Sequence, residues 1–151
     1  MNKLGEKSLK TLEYYEILEK LAGQAASQAA KEKCRALRPL DDHEQAELWL
    51  QQTTDAKDLM VRQGSPAFGG VRDVGESLSR AERGGMLNTR ELLDIAGLLT
   101  NVRRVQDYYK EDEEGTVIDK LFLSLHPNRF LEEKITTAIL SLIHISEPTR
   151  H

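Results

Sequence analysis

Residues 64–93 read GSPAFGGVRDVGESLSRAERGGMLNTRELL, and this stretch decides the fold. Its glycines supply the positive φ that helix ends require, Pro66 cannot continue a helix, and Asp73 and Asn88 can begin new ones. Asp73 with Glu76 and Asn88 with Glu91 each repeat the start signal of a short polar residue followed three positions later by a carboxylate. Gly84-Gly85 supplies the stop between them. The stretch therefore joins two helical halves, with a short helix from Asp73 to about Arg83.

Working outward, the next helix is predicted from Asn88 to about Lys110. Leu92, Ile95, Leu99, Val102, Val105 and Tyr109 lie on one stripe, which makes it the expected central buried element. On the other side, a helix is predicted from Asp41-Asp42 to about Gln63, opened by a capping box of Asp41 with Glu44. Ala46, Trp49, Thr53, Ala56 and Met60 alternate steps of three and four along it, the pattern of a seam against neighbouring helices, with Trp49 as the expected anchor.

Upstream, Tyr14, Ile17, Leu18, Leu21 and Ala25 fall at helical spacing from Leu12 onward, with Glu13, Glu16, Glu19 and Lys20 outside. A short helix from Gln28 to Leu37 follows and Pro39 stops it. Downstream, a helix from about Val117 to Leu125, the breaker His126-Pro127, and a last amphipathic helix with Leu131, Ile135, Ala138 and Ile139 complete an all-α, multi-helix bundle. Residues 1–140 read as one helical core segment. The tail 141–151 changes character, with Leu142, Ile143 and Ile145 bunched before Glu147-Pro148-Thr149-Arg150-His151. It reads as a non-native ending of the kind produced when a truncated gene is translated into adapter sequence, so the natural protein is expected to continue beyond Leu140.

Composition agrees with helices. The 151 residues are 39% hydrophobic and 30% charged but only 5% aromatic, which disfavours a β-sandwich rich in Val, Thr and Tyr. A net charge of −4 argues against the whole chain being a basic nucleic-acid grip. Cys34 is the only cysteine, so no internal disulfide can form and a reducing cytoplasm fits. No run approaches the roughly 18 apolar residues of a membrane span.

Candidate chemistry is sparse. His43 and Glu47 at i and i+4 resemble half of a zincin helix motif, yet the second ligand is Glu and no third is locatable, so a solvated helix start is the preferred reading. Gly5-Glu6-Lys7-Ser8 lacks the earlier glycine and the strand of a phosphate loop. Gly69-Gly70 with Gly75 lacks dinucleotide-loop spacing. Arg72, Arg80, Arg83, Arg90, Arg103 and Arg104 could contact phosphates, but Asp73, Glu76, Glu82, Glu91 and Asp94 interleave with them, as on a mixed-charge face. The run Glu111 to Glu114 reads as a solvated loop rather than a cation site. His126, His144 and His151 have no partner at informative spacing, and no nucleophile elbow occurs. The residues themselves therefore indicate no catalytic, cofactor or metal site.

Two stretches carry a resemblance: KTLEYYEILEKLA at 10–22, and residues 69–78 with RAERGGML at 80–87 and Glu91-Leu92-Leu93. With Leu37-Arg38-Pro39, Asp42 and Glu44, and Thr54-Asp55-Ala56, the chain resembles the start of the second bacterial MutS-type family, MutS-two, over about Lys10 to Leu140. Where that family often has Gly before the Lys-Glu of the second helix, Ala30 precedes Lys31-Glu32 here. The resemblance implies a fold like the N-terminal part of the MutS core domain. It further implies a full-length homodimeric protein that binds ATP and Mg, acts as an endonuclease on DNA, suppresses recombination and rescues stalled or collided ribosomes. The ATPase and nuclease domains of that family lie outside this segment, so the segment itself is expected neither to hydrolyse ATP nor to cut DNA. A free-standing helical interaction module is the alternative.

Overall fold

The computed structural model describes residues 5–66, 68–110 and 115–145, the side chains of 143–145 excepted. Among the described residues eight helices follow in order: α1 (Glu6–Thr11), α2 (Tyr14–Gln24), α3 (Gln28–Ala36), α4 (His43–Gln63), α5 (Gly75–Glu82), α6 (Thr89–Tyr108), α7 (Asp119–Leu123) and α8 (Arg129–Ile145). No strand occurs among the described residues, so the all-α expectation holds. None of the described helices is long and apolar enough to cross a membrane.

The helix starts follow side-chain chemistry. Asn88 and Glu91 form the complete capping box expected of them: Asn88 Oδ1 accepts from Glu91 N and Glu91 Oε2 accepts from Asn88 N, both at 2.9 Å. At α4 the cap is Asp42, not Asp41, with Oδ1 accepting from Gln45 N at 3.1 Å. Asp73 accepts from Gly75 N at 2.9 Å. This two-residue turn places it outside the helix and shifts the start of α5 to Gly75. Ser27 caps α3 and Asn128 caps α8, two starts that the apolar periodicity alone does not announce.

Helix stops depend on glycine in two places. After α5, Gly84 N donates to Ala81 O and Gly85 N to Arg80 O, with Gly84 at φ +79°, which is the Schellman arrangement. After α4, Gly64 adopts φ 79°, ψ −179°, a region open essentially to glycine alone. The first predicted helix, from Leu12 onward, is α2, and a short helix that the sequence reading did not predict, α1, precedes it. Glu13 takes a left-handed φ of 53° between α1 and α2, and Leu12 faces solvent.

Packing concentrates in two helical pairs. α2 lies against α3, joined at its N-terminal end by α1, and α6 lies against α8, with α7 beside α6. The buried apolar set is small: Leu9, Leu18 and Ala22 from the first group, Ile95, Ala96, Val105, Ile118 and Ile139 from the second, with Leu59 of α4 and Val74 between helices. Ile17 and Leu21, expected on the packed stripe of α2, remain exposed. α8 continues as helix past Leu140 to Ile145. Residues 146–151 and the acidic run 111–114 lie outside the described residues.

Candidate interaction surface

α4 runs for 21 residues yet contributes only Leu59 to the buried set. Polar pins at two points hold it to the second helical group. Asp55 Oδ2 accepts from Val117 N at 2.9 Å, and the Tyr108 hydroxyl donates to Gly64 O at 2.7 Å. Between these pins lies an apolar cavity of about 320 Å3, lined by Leu59, Met60, Val105, Ile118 and Phe122 among others.

Beside this cavity, Trp49, Thr53, Ala56 and Met60 of α4 form one wall of an open groove of about 860 Å3, with Leu37, Ile118 and Leu121 among its other lining residues. These are the seam residues that the sequence pattern marks for helix packing. Among the described residues no helix covers the seam, and Trp49 is 41% exposed rather than an anchor. Leu121 and Met60 are also exposed. The seam is therefore legible as a seam in the sequence, while in the structure it stays open.

The arginines expected on a mixed-charge face are largely paired. Arg80 meets Glu91, Arg72 and Arg90 approach Asp94 at 3.5 and 3.8 Å, and Arg103 binds Glu132 at 2.8 Å. Arg83 donates to Ser79 O at 3.1 Å, and Arg104 is exposed on α6. Such pairing neutralises much of the positive charge a phosphate backbone would need. Glu91 is shifted below the usual carboxylate range first by the Asn88 amide and then by Arg80. Glu132 joins α8 to α6: Arg103 Nη2 and the Thr100 hydroxyl donate to its Oε1 at 2.8 and 2.7 Å. Arg103, and after it Thr100, pulls the Glu132 pKa down to about 2.

His43 Nε2 lies 3.2 Å from Glu47 Oε1, with both side chains mostly in solvent. No group of three or more His, Cys, Asp or Glu suited to a metal occurs among the described residues. Gly5 starts the six-residue α1 rather than a phosphate loop. Gly69 and Gly70 form a turn, and Gly75 opens α5. His126 is exposed after α7. The side chains of His144 and His151 lie outside the described residues.

No protein-family description matches the chain, and no solved structure does. Proteins described as Endonuclease MutS2 do. That of Ruminiclostridium cellulolyticum is 37% identical over 95% of this chain, that of Acetivibrio thermocellus 35% over 95%, and that of Clostridium beijerinckii 32% over 95%. The chain spans only 19% of the length of each.

Proposed function

Because this chain is similar along nearly its whole length to about a fifth of proteins named Endonuclease MutS2, we propose that it is the N-terminal helical scaffold of a MutS2-like protein. In this reading the full-length protein is an ATP-dependent, DNA-binding endonuclease that suppresses recombination and rescues stalled or collided ribosomes, with ATP and Mg bound outside the present segment. Homodimerisation and the cytoplasmic setting belong to the same reading.

The observation that carries it is the extent of the similarity, 95% of the chain against the 19% of the relative that it spans. The physical character of the segment supports the role. Its helices are defined by caps and glycine stops, several of its arginines pair with carboxylates, and the groove on α4 is mostly apolar. Such a surface transmits packing rather than chemistry.

Sequencing the genomic locus across the codon for Ser141 tests the reading. A reading frame that continues into a phosphate-loop motif supports it, and a stop codon directly after His151 refutes it. Expression of the continuous frame should then yield a protein whose ATP turnover and DNA cleavage are both absent from the present chain assayed alone.

A further inference from the structure

Tyr15 stands where the first three helices meet. Its hydroxyl donates to the Glu6 carboxylate of α1, 2.9 and 3.0 Å from the two oxygens. The exposed Arg38, just beyond α3, lies over its ring at 5.8 Å from the centroid. The Glu6 hydrogen bond raises the Tyr15 pKa, so the phenol keeps the proton it donates. Among the described residues little else holds α1. It is six residues long with Leu9 as its one buried side chain, whereas an isolated helix needs roughly 12–15 residues to persist in water, so α1 is helical only while docked. Its junction with α2 is strained, because Glu13 takes a left-handed φ of 53° that non-glycine residues seldom adopt. Undocking α1 relieves that strain.

We propose that Tyr15 is a phosphorylation site, and that the phosphate releases α1 as an arm hinged at Glu13. In the transfer, the phenolic oxygen attacks the γ-phosphorus of a nucleoside triphosphate held by a tyrosine kinase. The new O–P bond forms as the bond from that phosphorus to the departing nucleoside diphosphate breaks, and the phenolic proton passes to the kinase's general base. The modified side chain then has no proton to give Glu6 and sets a charge of about −2 against it. Arg38, already beside the ring, is the cation that pairs with the new phosphate. Tyr15 thus exchanges α1 for the end of α3. The half-buried Tyr15 lies in the first turn of α2, next to the hinge, so the local opening that frees α1 also presents it to an enzyme. Tyr108 and Tyr109 offer no such clasp: the first donates to Gly64 O and the second has a buried hydroxyl. None of this requires the chain to be part of a longer protein.

The experiment treats this chain, carrying Y14F so that Tyr15 is the one tyrosine at the joint, with a broad-specificity tyrosine kinase, ATP and Mg. Mass spectrometry is expected to place a phosphate on Tyr15, and amide exchange over residues 6–12 should rise about tenfold while that of α6 is unchanged. E6Q keeps an acceptor without the charge, so phosphorylation of E6Q should speed the same amides by less than about threefold. Y15F, which loses the hydroxyl and gains no charge, should likewise raise exchange by less than about threefold. A Tyr15 left unmodified by the kinase overturns the proposal, as does a phosphorylated chain whose α1 exchange is unchanged. Release as large in phosphorylated E6Q or in Y15F would also overturn it, because charge against Glu6 would not be the cause. So would an equal rise in α6, which would mean that the phosphate unfolds the chain instead of freeing an arm.

Discussion

Replacing Glu132 by Gln should remove most of the electrostatic link between α6 and α8. The carboxylate receives Arg103 and Thr100 together, and its pKa falls from the ordinary 4.5 to about 2. At about 1.36 kcal/mol per unit, that shift corresponds to about 3 kcal/mol in favour of the charged form. Arg103 keeps 30% of its side chain in solvent and Glu132 keeps 13%, so screening lowers the expected loss in E132Q to about 1–2 kcal/mol. A folded-state pKa below the unfolded value means that the stabilisation is fully present above pH 4.5 and disappears as pH falls towards about 2. Urea midpoints of both proteins measured between pH 7 and pH 3 should therefore converge, with the difference at pH 3 less than about half that at pH 7. For a chain of this length the thermal midpoint at pH 7 should drop by about 3–6 °C. A stability gap that stays constant across this range would refute the assignment, since only loss of a charged pair titrates in that window.

Three further substitutions test separate features. A Cβ on Gly85 would lie 2.5 Å from Arg80 Cγ and 2.9 Å from Arg80 O, so G85A should cost about 1–3 kcal/mol by overpacking the α5 stop, read as a lower urea midpoint. N88A removes one half of the capping box and should cost about 1 kcal/mol, with faster amide exchange confined to the first turn of α6. Y108F loses the donor to Gly64 O and should cost about 0.5–1.5 kcal/mol, with faster exchange at the C-terminal turn of α4; unchanged exchange there would mean that the pin carries no load.

The helical class and most helix spans were readable because caps, glycine stops and 3.6-residue periodicity are local signals. Asn88 with Glu91 and Gly84-Gly85 act in the structure as their residue types require. Errors arose where two local signals competed. Asp41 and Asp42 are adjacent carboxylates, and only the geometry of the first turn selects Asp42. Asp73 satisfies a nearer amide than the one its spacing to Glu76 suggests. Helix α1 was not predicted, and Glu13, which takes a left-handed turn between it and α2, is neither Gly nor Pro. The expectation for Trp49 was right about pattern and wrong about outcome, because periodicity identifies a face built for packing but not the element that covers it. Glu132 was invisible as a functional link for a related reason: its partners Thr100 and Arg103 are 32 and 29 residues away, beyond any spacing rule.

The two pins on α4 have a mechanical consequence. A rod fastened near its middle through Asp55 and at its end through the Gly64 carbonyl, with a single side chain sunk in the core, is held to the rest of the fold far more lightly than α6 is held to α8. Residues 64–93 are therefore the covalent path from a lightly held helix to the tightly packed one.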